Sequence, residues 1–139
     1  MSKKKVVRKY KRNDEERRIR DKEIRPLMEG LGWLVEVTHS TKFFKGFPDL
    51  YLAHPKYGQR WVDVKVEGKY EYTPAQRDKW PRWHTYGVGI WIMTRGTHEQ
   101  VDWLFKKPNW LDYWKPKYGD PFKSLDLESL LDTIDDLET

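Results

Sequence analysis

Residues 46–80, GFPDLYLAHPKYGQRWVDVKVEGKYEYTPAQRDKW, decide the fold. They read as two strands and the start of a helix. A Gly-Phe-Pro turn fixes the entry to the first strand, Asp49 to His54, because proline locks its own backbone angle. The second strand, Arg60 to Val66, alternates: Val62, Val64 and Val66 point to one face, Trp61, Asp63 and Lys65 to the other. Three valines make a core face, so Asp63 and Lys65 stand together on the opposite one. Pairing of the strands across Pro55-Lys56-Tyr57-Gly58 brings Asp49 near Asp63. Two carboxylates and a lysine on one small surface suit a hard divalent cation such as Mg²⁺, with an ammonium beside it to position water or offset phosphate charge.

Working outward, Asn13 or Asp14 caps a helix whose first turn holds Glu15 and Glu16, acids being favoured there. Ile24, Leu27, Met28 and Leu31 share one face, Pro26 kinks or restarts the helix, and Gly30 and Gly32 end it. Trp33 to Thr38 is a strand rich in β-formers. His39 to Lys45 is a polar and aromatic loop that feeds the Pro-Asp turn, with His39, Lys42 and Lys45 available to phosphate. Thr73-Pro74-Ala75-Gln76 starts a helix: Thr73 as N-cap, Pro74 first, Gln76 placed for a capping box. That helix ends or bends at Pro81. Its basic and aromatic residues, Arg77, Lys79, Arg82, Trp83 and His84, suit a DNA-facing edge or an exposed helix with its tryptophans turned inward. Ile90 to Met93 is a buried strand, and His98 to Phe105 a short helix. Residues 106–123, punctuated by prolines, are expected to wrap the core without long regular elements. Residues 125–137 carry leucines at helical spacing in an acidic tail.

Pro48-Asp49 followed by Asp63-Val64-Lys65 resembles the PD-(D/E)xK signature of restriction-endonuclease-like nucleases. The wider series Gly-Phe-Pro-Asp-Leu, Trp-Val-Asp-Val-Lys, Thr-Pro-Ala-Gln resembles the VRR-NUC (virus-type replication-repair nuclease) group, especially its small stand-alone phage type. The resemblance covers residues 20 to 95. One departure is Asp63, where VRR-NUC members usually carry Glu. The resemblance implies an α/β restriction-endonuclease-like core, αβββαβ, with a mixed sheet flanked by helices. It implies Mg²⁺ or Mn²⁺ held by Asp49, Asp63 and the Val64 backbone carbonyl, with Lys65 on the attacking water or the transition state and Gln76 beside the lysine. A further metal-facing acid is implied on the first helix, Glu23 rather than its rival Asp21, though each lies at the margin of the apolar face. The implied activity is DNA endonuclease, structure-specific in the manner of Holliday-junction resolvases in repair or recombination, by a homodimer. A less selective restriction- or homing-type duplex or flap endonuclease is the alternative. A non-catalytic DNA-binding module would gain by losing acids that repel phosphate, and a protein-interaction domain leaves the acid–lysine cluster without a role.

Composition narrows the field. With 139 residues there is room for one domain with a core. No cysteine is present, which excludes disulfides, thiolate catalysis and cysteine zinc sites. No run is long enough to span a membrane and no signal peptide is evident, so a cytoplasmic location (the host's, for a phage protein) is expected. A net charge of +5 favours an anionic partner. The expected division is a basic arm over 1–12, a nuclease domain over 13–123 and an acidic amphipathic helix over 124–139.

Overall fold

The computed structural model describes residues 14–39 and 42–122. The basic arm and the acidic C-terminal helix read from the sequence lie outside the described residues. Helix α1 (14–30) leads into strands β1 (Leu34–Val37), β2 (Leu50–His54) and β3 (Gly58–Val64), followed by helix α2 (Pro74–Thr85), strand β4 (Ile90–Met93), and helices α3 (His98–Trp103) and α4 (Trp110–Tyr118). The order of the first six elements is the expected αβββαβ. Strand order is β1-β2-β3-β4; the first two pairings are antiparallel and β3–β4 is parallel. This is the mixed, helix-flanked sheet that the sequence predicts. Among the described residues no helix is long and apolar enough to cross a membrane.

Alternation along the strands gives the sheet two unlike faces. Leu50, Leu52, Val62, Val64 and Met93 join Ile19, Ile24 and Met28 of α1 and Val101 and Leu104 near α3 in an aliphatic core. Ile90 and Ile92 point the other way, into a core of Tyr70, Tyr72, Trp80, Trp110 and Trp114 beneath α2 and α4. Burial of such side chains drives both layers, at about 25 cal/mol per Å² of apolar surface.

Local readings change in three helices. Helix α1 passes through a π-helical stretch, Ile19–Ile24, before regular turns resume at Arg25 with Pro26 in the new first turn. Pro26 has no N–H to donate, and the Arg25 N–H reaches back five residues to Arg20 O. Leu31, expected inward, is exposed. Helix α2 runs through Pro81 to Thr85. Residues 110–118, expected to lack regular structure, form α4: Trp110, Trp114 and Tyr118 recur every four residues and bury one stripe, which outweighs Pro116 near the helix end. Just before α4, Asn109 brackets Ile92 on the β4 edge, its Oδ1 accepting the Ile92 N–H at 2.6 Å and its Nδ2 donating to Ile92 O at 3.2 Å.

Candidate active site

The β2–β3 hairpin closes over residues 55–57 with Gly58 at φ +85°, and its register sets Leu50 opposite Val62. One step further along, the backbone ladder gives way to side chains. The Asp49 N–H donates to Asp63 Oδ1 (3.1 Å), and the Val64 N–H donates to Asp49 Oδ2 (2.9 Å). Each acid thus occupies a position that a strand carbonyl would otherwise fill. The two carboxylates are held together by the strands themselves.

Lys65 follows on the same face, 3% exposed, beside Asp63 at 1%. Its ammonium lies 3.0 Å from Asp63 Oδ2, donates to Glu71 O (2.8 Å) and to Gln76 Oε1 (3.0 Å), and sits 4.9 Å over the Tyr72 ring. Burial by itself would lower the Lys65 pKa, but the charges of Asp63 and Asp49 outweigh it and leave the value raised. Asp49 moves the other way from an ordinary ion pair. Burial, then the neighbouring Asp63 charge, raises its pKa well above the usual carboxylate range against the Val64 N–H bond and Lys65.

Gln76 serves two roles at once. Its Oε1 accepts the Thr73 N–H (3.0 Å) while the Thr73 hydroxyl accepts the Gln76 N–H (3.1 Å), a complete capping box. The same oxygen accepts from Lys65, and Nε2 donates to Asp63 Oδ1 at 3.3 Å. Thr73 N–H and the ammonium are pure donors, which fixes the amide's orientation. Helix α2 is therefore anchored on the acid–lysine pair.

These groups lie at the floor of a cleft of about 950 Å³. Its walls include Glu16, Arg17 and Arg20 of α1, Thr38 and His39, and the loop from Phe44 to Phe47. Gly46 fits here for two reasons: φ is +84°, and a Cβ would stand 2.8 Å from the Ala75 carbonyl oxygen. Its own carbonyl accepts the Trp80 indole N–H at 2.7 Å.

The structure brings Asp49, Asp63, Lys65 and Gln76 together, with Lys45 on the wall and Lys42 in the adjoining loop. It does not bring Glu23 or Asp21. Glu23 accepts from Arg18 (3.0 Å), Arg95 (3.3 Å) and the Gly96 N–H (3.2 Å), clamping α1 to the turn after β4. Asp21 is held by Arg20 and Arg25. The helix acid that lines the cleft is Glu16. Its charge raises the pKa of both Asp49 and Lys65. Of the basic residues expected on α2, Arg77 stacks 4.4 Å over Tyr118, Lys79 lies 5.3 Å over Phe47, and Arg82 pairs with Asp78; none of the three lines this cleft. Arg17 and Arg20 do, and their only sequence signal was a place near the helix start.

A divalent cation fits the floor on one observation. Asp63 Oδ2 is buried without a well-aligned hydrogen-bond donor, the Lys65 ammonium standing 3.0 Å away. Among the described residues no three acidic or histidine side chains converge as a closed cage. That leaves part of any coordination shell to other oxygens, as suits Mg²⁺, which keeps several waters.

No family model and no curated protein matches the sequence. The fold is similar to a solved VRR_NUC domain at 28% identity and a TM-score of 0.52, over 66% of this chain and 95% of that one. The match supports the VRR-NUC family and suggests a nuclease domain, in agreement with the resemblance carried by Pro48-Asp49 and Asp63-Val64-Lys65.

Proposed function

From a chain similar to the VRR-NUC nucleases, we propose a divalent-metal-dependent DNA endonuclease that prefers branched DNA. The observation that carries this reading is the contact of Asp49, Asp63 and Lys65 at the floor of an open cleft. A pure binding surface gains nothing from burying two acids where phosphate must approach. Asp49 and Asp63, with the Val64 carbonyl, are the residues that would hold Mg²⁺ or Mn²⁺, and Glu16 on the cleft wall adds negative charge that favours a cation there. Bound there, the cation supplies charge neutralisation at the phosphate and a more acidic water. Lys65, already aimed by Glu71 O and Gln76, places positive charge where the attacked phosphate becomes more negative. Gln76 keeps that ammonium from swinging away. Arg17, Arg20 and Lys45 on the walls attract the phosphates on either side.

A four-way junction is the first substrate to try. Cutting its two opposed strands takes two sites related by a two-fold axis, which a homodimer supplies. The test incubates labelled junction, flap, duplex and single strand with Mg²⁺ or Mn²⁺, with chelator, and with the Asp63→Asn protein. Cleavage that needs the cation and Asp63, fastest on the junction, is the expected result. Equal cutting of plain duplex favours a restriction- or homing-type enzyme. Cutting that persists in chelator overturns the mechanism.

A further inference from the structure

The loop before Asp49 carries an aromatic side chain that the reaction does not use. Phe43 is 84% exposed, between Lys42 and Phe44. Its neighbours Phe44 and Lys45 line the cleft. An exposed phenylalanine is unremarkable by itself; this one stands on a braced mount. Phe44 packs edge-on against Phe47 (5.3 Å between ring centres), and Phe47 against Trp83 (5.0 Å) and Trp61 (5.8 Å). Trp80 and Ala75 hold Gly46 from α2. The ring is thus presented from a braced base, in a Lys-Phe-Phe-Lys run whose last two residues, Phe44 and Lys45, line the cleft.

We infer that Phe43 is a stacking platform for an unpaired nucleobase next to the cut. It rests on the DNA reading of the cleft. Nucleic-acid chemistry is favoured over another apolar occupant by the charge around it: Lys42 and Lys45 carry the positive charge that phosphates seek, and a base is the apolar face that phosphates bring with them. In continuous duplex every base face is already covered by its neighbours. At a branch, flap or strand end one face is free, and Phe43 covers it without any unstacking. The selected substrate class is therefore DNA with a base unstacked at the point of cleavage, whatever its sequence.

The test uses full-length protein carrying Asp63→Asn, which separates binding from turnover, and DNA with 2-aminopurine at the unpaired position of a flap or branch. Stacking on Phe43 quenches the probe. Phe43→Ala is expected to abolish the quench and weaken binding to flap and branch about 10-fold, leaving plain duplex binding unchanged. Phe43→Trp restores both. Tyr86, 87% exposed beyond the far end of α2, serves as control, and Tyr86→Ala changes neither. An undiminished quench in Phe43→Ala overturns the inference. So does an equal loss on duplex, which marks a loop held in shape, or a fall in mass in solution, which marks a contact between copies. If the parent protein cuts DNA but gives no quench, only the platform fails; if it quenches but never cuts, the nuclease reading fails and the platform stands.

Discussion

One face of the sheet is saturated with aliphatic side chains, and the other mixes aromatics with a buried acid and a buried lysine. Val62 and Val64 look into the first while Asp63, between them, looks into the second. Leu50, Leu52, Val62, Val64 and Met93 on the first face carry no group that solvates a charge. The aromatic face does: Tyr and Trp bring a polar tip or a π-cloud with their bulk. Lys65 is held by ring faces as well as by oxygens, 4.9 Å over Tyr72 and 5.8 Å over Trp80. The difference teaches that burial on one face serves stability alone, and on the other is arranged around titratable groups that hold one another in place.

Substitutions on each face separate these roles. The largest effect is expected for Lys65→Ala, which should lower single-turnover cleavage about 10³-fold. It also leaves two buried acids without their counter-charge, at about 3 kcal/mol of stability in urea at neutral pH. On the opposite face Leu52→Ala should cost about 2–5 kcal/mol while the folded fraction cuts at the parent rate. A drop in turnover per folded molecule there would break the distinction between the faces. Gln76 sharpens it. Gln76→Ala loses the capping box, about 1 kcal/mol, and about 10-fold in rate. Gln76→Glu keeps the box but sets a third carboxylate against Asp63, so the stability gained from the cap is offset by like-charge repulsion and activity should not return. Return of both would make Gln76 only a cap.

The smallest effect concerns Asp49. Its folded-state pKa is raised, so the folded protein holds that proton to higher pH than the unfolded chain does. The stabilisation is complete below the ordinary carboxylate range and is lost as pH rises through the raised value. Without divalent ions, Asp49→Asn should therefore be more stable than the parent near pH 8 and no more stable near pH 4. Thermal melts in chelator at the two pH values measure it.

Much of this was readable from residues 46–80, because a two-residue strand period separates Val62 and Val64 from Asp63 without ambiguity. Hairpin register then places Asp49. The helix acid was not readable. A regular helical wheel set Glu23 and Asp21 at opposite margins of the apolar face and did not choose between them; Glu23 came from the family resemblance, and the π-helical stretch over Ile19–Ile24 shifts the phase on which any such wheel depends. Glu16, on the far side of the stretch, was taken as an acid suited to a first turn. In α4 the prolines masked a four-residue aromatic repeat. Gln76 was legible as a cap or as a partner of the lysine; only the distances show one amide performing both.

The fit of Gly46 against Ala75, with the Trp80 indole bonded to its carbonyl, has a mechanical meaning. The loop that carries Phe44 and Lys45 and the helix end that carries Gln76 are strutted to each other across the cleft. Neither can swing without the other. A jaw with a strut across it does not close on what enters, so strain falls on the softer body. For the branched DNA proposed as substrate, flexible at its branches and stiff along its duplex arms, the bending is expected to fall on the nucleic acid rather than on the protein.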